Sequence, residues 1–290
     1  MATGSRSRHN ACLKWTGSLK DRRHEDTRRS GVQISPTPPH AVIDFCLESE
    51  SVISPYNQQW PMTRKGTRLY GICGIDEAGR GPMIGPMVIC GVLIGPESLH
   101  EIEKLGVRDS KTLSPSRRLS LSKKIKTKVI ATSFRFVSAS EIDKRRKHTT
   151  LNEIEADEFA SILKELTPKT AYLDAADVKA DRFGRKVGER SGLKGRGADI
   201  ISEHKADSKY PIVSAASILA KVERDRRISE YHKKYGDFGS GYPSDPKTVD
   251  FVRNLVKTRS KLPPIVRMSW ESVRRIIDAE ANEQSTLDSF

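Results

Sequence analysis

Residues 69–95 read LYGICGIDEAGRGPMIGPMVICGVLIG, and this stretch decides the fold. Isoleucine, valine and leucine fill two runs, LYGICGIDE and GPMIGPMVICGVLIG, punctuated by glycine. That is the composition of buried strands in a mixed or parallel sheet. A short GRG loop at 79–81 separates the runs, and the first run closes on two acids, Asp76 and Glu77.

Helical and extended patterns alternate downstream. SPSRRLSLSKKIKTK (114–128) predicts a helix capped by Ser114, with Pro115 at its first position. VIATSFRFVSA (129–139) reads as a strand. LNEIEADEFASILKEL (151–166) carries Leu151, Ile154, Phe159, Ile162, Leu163 and Leu166 at helical spacing, and TAYLDAADV (170–178) reads as another strand. A long helix is expected from Ser214 to about Tyr235, stopped by Gly236. The loop GDFGSGYPSDP then leads to a helix at TVDFVRNLVKT (248–258), and after LPPIV a last helix runs through SWESVRRIIDAEA. The alternation predicts an α/β fold, with the terminal helices capping one side of the sheet. No internal repeat is present.

The chain has 290 residues, enough for one large domain with an appendage. Its net charge of +14 favours a polyanionic partner, nucleic acid before an anionic membrane. Residues 1–69 hold 11 Lys/Arg against 6 Asp/Glu, leaving +9 for the remainder. The first segment is proline-scattered and lacks hydrophobic periodicity, so 1–68 reads as a basic, disordered extension. A catalytic core is expected over 69–235 and a helical extension over 236–290. No apolar run approaches the roughly 18–20 residues that cross a bilayer. Cys12, Cys46, Cys73 and Cys90 are scattered without zinc spacing, as thiols of a reducing compartment are. Together these features predict a soluble, cytoplasmic protein with no membrane contact.

Four acids fall at strand ends or helix starts: Asp76 and Glu77, Asp174 closing YLD, and Asp207 before the long helix. Neighbours on a strand point to opposite faces, so Asp76 and Glu77 converge on one ion only if the strand ends or bends there. A carboxylate cluster without Cys or His suits Mg²⁺ or Mn²⁺. Taken singly, each acid also reads as a turn, hydrogen-bonding or capping residue. Gly79, Arg80 and Gly81 form a loop whose backbone can approach a sugar or phosphate, or an ordinary turn. Ser217 and Lys221, four apart on the long helix, share a face suited to a phosphate strand; a solvated lysine is the plainer reading. Tyr242, between Gly241 and Pro243, either stacks on a sugar or base or plugs a gap in the packing.

Six motifs in order, GIDEAGRGPMIGPMV, DSKTLS, YLDAADV, HKADSKYPIVSAASILAKVERD, GSGYPSDPKT and IVRMSW, closely resemble ribonuclease HII, and in its archaeal branch most of all. The resemblance covers about residues 70–285. It implies a ribonuclease H-like mixed sheet flanked by helices with a C-terminal helical extension. It also implies an endonuclease, acting as a monomer, that cuts the RNA strand of RNA/DNA hybrids and single ribonucleotides in duplex DNA, leaving 3′-hydroxyl and 5′-phosphate ends. Asp76, Glu77, Asp174 and Asp207 would be the catalytic, metal-binding carboxylates for Mn²⁺ or Mg²⁺. Gly79, Arg80 and Gly81 would read the 2′-hydroxyl through backbone groups, and Tyr242 would pack on the ribose. Lys111, Ser217 and Lys221, with Asn152 behind them, would fall among the phosphate contacts. The N-terminal extension departs from the family pattern: translation begins at Met62, or the segment is a basic nucleic-acid-binding arm. A ribonuclease HIII-like enzyme is the alternative, disfavoured because 1–68 lacks alternating strands and because that group carries glutamate where this chain has Asp207. A nonenzymatic hybrid-binding protein would have lost a carboxylate, and none is lost.

Overall fold

A computed structural model describes residues 68–107, 113–258 and 261–287, with side chains described as far as 283. The expectations for the N-terminal extension and its Met62 start, for Cys12 and Cys46, and for Lys111 lie outside the described residues.

Five strands form one sheet in the order β3-β2-β1-β4-β5: β1 (Ile72–Ala78), β2 (Met87–Ile94), β3 (Ala131–Val137), β4 (Thr170–Asp174) and β5 (Asp199–Glu203). β1 pairs antiparallel with β2, and β2 with β3, whereas β1–β4 and β4–β5 are parallel. The mixed sheet expected from 69–95 is therefore present, with β1 at its centre. β1 runs on through Ala78, paired with Val88, instead of closing at Asp76 and Glu77. A regular strand continues through the acids, so they keep opposite faces.

Helices cover both faces: α1 (Leu99–Lys104), α2 (Pro115–Lys126), α3 (Ala139–Arg145), α4 (Leu151–Leu166), α5 (Ala180–Ser191), α6 (Ala206–Lys209) and α7 (Pro211–Tyr235). Ser114 caps α2, its hydroxyl accepting from the Arg117 amide, with Pro115 at the first helical position. α7 starts at Pro211, three residues before the small-residue pattern suggested, because proline at N1 preorganises the first turn. Alternation in β2 splits the core in two. Met87, Ile89 and Leu93 pack with Phe159, Leu163 and Phe183 of α4 and α5, while Val88, Cys90, Val92 and Ile94 pack with Ile212, Ala216 and Leu219 of α7. Gly74 lets α7 lie directly on β1: a Cβ there would stand 2.5–2.6 Å from the Ile212 carbonyl and the Val213 nitrogen. Gly74→Ala is expected to cost about 2–3 kcal/mol, since two backbones must separate; an unchanged urea midpoint would refute this packing account.

α8 (Pro246–Thr258) and α9 (Glu271–Leu287) complete the described helices. With Phe238, Ile265 and Val266 they enclose a third apolar cluster that takes in Met83 and Ile84, next to the loop that follows β1. None of the helices among the described residues is long and apolar enough to cross a membrane.

Candidate active site

The site lies at the carboxyl ends of two parallel neighbours, β1 and β4. Ile75 pairs with Leu173, which sets Asp76 and Asp174 side by side one residue further along. Adjacent strands are about 4.8 Å apart. The Asp76 carboxyl, 5% exposed, is pushed up from 3.8 to about 6 by burial and then by the Asp174 charge. Its Oδ1 accepts from the Glu77 amide at 2.7 Å.

Ser217 and Lys221 do share a face of α7. Lys221 Nζ donates to Ser217 Oγ at 2.7 Å, and the Ser217 hydroxyl in turn hydrogen-bonds Asp76. With Ser217 at 1% exposure, its geometry engages the carboxylate, and Lys221 alone of the two lines the groove.

Asp174 Oδ1 accepts from the Ala206 amide at 3.0 Å, joining β4 to the one-turn helix α6. Lys205 takes a left-handed turn, φ 56°, and swings the chain from β5 into that helix. The next residue but one, Asp207, is 4% exposed and accepts from Ser208 Oγ. Asp207 thus sits in a separate element from the long helix, with Tyr210 between them.

Glu77 turns to the other face. Burial first, then the charges of Asp76, Glu155 and Asp174, push its carboxyl well above the usual range. Its Oε2 is buried without a hydrogen-bond partner. Among the described residues no three His, Cys, Asp or Glu side chains form a ready-made metal cage. The donor set still fits a hard cation: all-oxygen, mutually repelling carboxylates, one with an orphaned buried oxygen.

Burial, with these repulsions behind it, has a measurable sign. A carboxyl raised on folding binds its proton more tightly in the folded chain, so stability declines as pH rises from 3.8 towards 6 and stays reduced above. For Asp76 this amounts to about 3 kcal/mol at pH 7.5 in metal-free protein. Asp76→Asn should therefore raise the melting temperature in EDTA by several degrees at pH 7.5 and by less at pH 5. Added Mn²⁺ should raise that of the wild type more than that of the variant. Equal melting of the two proteins at pH 7.5 in EDTA would show that the cluster is unstrained.

A groove of about 400 Å³ opens beside the carboxylates, lined by Glu77, Gly79, Arg80, Gly81, Arg118, Lys221, Arg224 and Tyr242. It collects the GRG loop, the lysine and the tyrosine singled out in the sequence. A larger cleft of about 500 Å³ between α5 and β5 holds none of those residues. The Arg80 guanidinium is tied down: Nε donates to Glu155 at 2.8 Å, and Nη2 to Asn152 at 2.5 Å and to the Ala176 carbonyl at 3.3 Å. Arg80 and Asn152 thus brace the loop on α4. Glu155, fully buried, is pushed up to about 7 by burial, offset in part by Arg80.

Sequence reasoning did not single out Arg224, Arg118, Glu155 or Arg267. Arg224 is 6% exposed, its Nε and Nη2 lack partners, and its guanidinium lies 5.2 Å from the Tyr242 ring centroid. Glu155 followed the helical pattern of 151–166 as one more acid, and only its burial marks it.

Acids on the central strand of this mixed sheet, with helices on both faces and a cation-lined groove alongside, define a ribonuclease H-like fold and site. The family model described as Ribonuclease HII matches residues 73–273. A Ribonuclease HII from Pyrococcus furiosus is 48% identical over 225 residues, which cover 76% of this chain and 97% of that protein. Ribonuclease H2 from Pyrococcus horikoshii has a crystal structure similar to this one, with a TM-score of 0.67 and 43% identity over 72% of this chain and 97% of its own. The Archaeoglobus fulgidus RNase HII, solved in a complex with PCNA, gives a TM-score of 0.65 and 42% identity over 71% of this chain and 96% of its own. The chain belongs to the ribonuclease HII family and is an endoribonuclease acting on RNA/DNA hybrids.

Proposed function

We propose that the chain cuts the RNA strand of hybrids and also cuts at single ribonucleotides in duplex DNA, leaving 3′-hydroxyl and 5′-phosphate ends. The reading rests on one juxtaposition: Glu77, whose carboxyl feels the charges of Asp76 and Asp174, borders the same groove as the Gly79–Gly81 loop and Tyr242. Asp76, Glu77, Asp174 and Asp207 would hold two Mg²⁺ or Mn²⁺ ions. When bound, these supply an activated water and neutralise charge on the phosphodiester. The protein's part is positioning. Ser217 and Lys221 fix the Asp76 carboxylate, the Ala206 amide fixes Asp174, and Lys221 adds positive charge where a phosphate strand would run.

Ribose is distinguished from deoxyribose by its 2′-hydroxyl, which both donates and accepts. Backbone groups of the glycine loop on one side and the Tyr242 ring, 38% exposed, on the other suit a reader of that group. We assign the catalytic core to 69–235, the helical extension to 236–290, and action as a cytoplasmic monomer. PCNA, found with the Archaeoglobus relative, is the proposed protein partner. The test is cleavage, with Mg²⁺ or Mn²⁺, of a duplex carrying one ribonucleotide beside the same duplex in all-DNA form, with the product ends mapped. Cleavage of the ribonucleotide duplex alone supports the reading; cleavage restricted to long hybrids overturns its finer half.

A further inference from the structure

Arg267 is the largest side chain that is fully buried; Asp143 and Glu155 act on it electrostatically, but among the described residues neither forms an ion pair with it. Burying a guanidinium with no carboxylate in direct contact is costly, so its donors must be well used. They are spent on one loop. Nη2 donates to the Gly79 carbonyl at 2.5 Å, Nη1 to the Arg80 carbonyl at 2.9 Å and Nε to the Gly85 carbonyl at 2.9 Å. Three residues on, the Trp270 indole N–H donates to the Gly81 carbonyl at 3.1 Å, and the Arg267 guanidinium lies 4.6 Å from the Trp270 ring centroid. Every carbonyl of the GRG loop is thus held by a side chain of one short segment.

That segment is itself fixed from two sides. The Arg267 amide donates to the Met83 carbonyl and the Gly85 amide to the Ile265 carbonyl, each at 2.8 Å, around a bridge between Ile84 and Val266. From α3, Asp143 accepts the amides of Met268 at 2.7 Å and Ser269 at 2.9 Å.

In a trans peptide the N–H points opposite to the preceding C=O. Holding the Gly79 and Arg80 carbonyls towards Arg267 therefore turns the Arg80 and Gly81 amides away from it. Neither amide donates to a backbone or side-chain acceptor among the described residues, and both residues line the groove. Two unpaired donors, aimed by the Gly79 and Arg80 carbonyls that precede them, suit an acceptor oxygen of the substrate.

We propose that Arg267 and Trp270 are positioning residues for ribose discrimination: Arg267 aims the Arg80 and Gly81 amides at the 2′-oxygen through the carbonyls that precede them, and Trp270 anchors the end of the loop at the Gly81 carbonyl. This rests on the reading that the loop recognises ribose. Neither residue touches substrate; each acts through the loop.

The experiment measures Kd for a single-ribonucleotide duplex and for the matching all-DNA duplex, in an Asp174→Asn background that prevents turnover. The parent must first prefer the ribonucleotide duplex; no preference there would defeat the ribose-reading assignment itself, before any change at 270. Trp270→Phe keeps an aromatic ring and deletes one donor, and it is expected to lower the preference about tenfold through the ribonucleotide duplex alone. Arg267→Lys, which keeps the charge but cannot serve three carbonyls, should lower it further. An unchanged ratio in Trp270→Phe overturns the proposal. So does an equal loss of affinity for both duplexes, the mark of a merely structural role. Should Arg267→Lys fail to fold, the half-buried Trp270 still decides the matter.

Discussion

Asp174→Asn is expected to lower turnover on a single-ribonucleotide duplex by about 10³-fold or more, without lowering the melting temperature. Amide replaces carboxylate at nearly constant shape, and Oδ1 still accepts from the Ala206 amide. What disappears is one negative charge beside Asp76, a charge that burdens the metal-free fold and that a cation would use. The loss should therefore be chemical, seen in kcat, with Kd for duplex changed little. Equal cleavage by variant and wild type would remove Asp174 from the site, and with it the argument from the β1–β4 register.

The second large effect separates two glycines of one loop. A Cβ on Gly79 would meet Arg224 Nε at 2.4 Å, Arg224 Cδ at 2.6 Å and the Pro86 carbonyl at 2.7 Å, and the residue sits at φ +84°. Gly79→Ala should melt several degrees lower, since both backbone and neighbour resist it. A Cβ on Gly81 would find only Tyr242 Cε1, at 3.9 Å. Gly81→Ala should therefore fold as the wild type does. Its methyl would nevertheless enter the gap between loop and tyrosine, and cleavage at a single ribonucleotide should fall about 10²-fold. Melting curves and initial rates on the two variants check both halves. Full activity in Gly81→Ala would place the ribose elsewhere.

The central sheet was legible because 69–95 is almost uniformly apolar, and no other element type suits such glycine-punctuated runs. α2, α4 and the main body of α7 were legible from caps and period. The region 180–203 was not. In ADRFGRKVGERS Gly184 lies against Ser202 of β5 and Gly188 near Lys194 and Ile200, so few apolar side chains mark α5, and β5 is a five-residue strand with an acid at each end. The four candidate acids stood out in the sequence by their places at expected strand ends and helix starts. What joins them did not. That Asp76 and Glu77 keep opposite faces follows from continued pairing to Ala78, a long-range fact. Arg267 lies 188 residues from Gly79, and nothing local in IVRMSW tells of three carbonyls brought to it by folding.

In the proposed reading one groove joins Glu77, at the edge of the carboxylate cluster, to a ribose-reading loop. A crystal structure of the Asp174→Asn protein with Mn²⁺ and a duplex holding one ribonucleotide tests it most directly. The 2′-oxygen is expected within hydrogen-bond distance of the Arg80 or Gly81 amide, the ribose against the Tyr242 ring, and the adjoining phosphate facing Asp76. A ribonucleotide seated away from residues 79–81, or a duplex lying along the α5–β5 cleft, would contradict it.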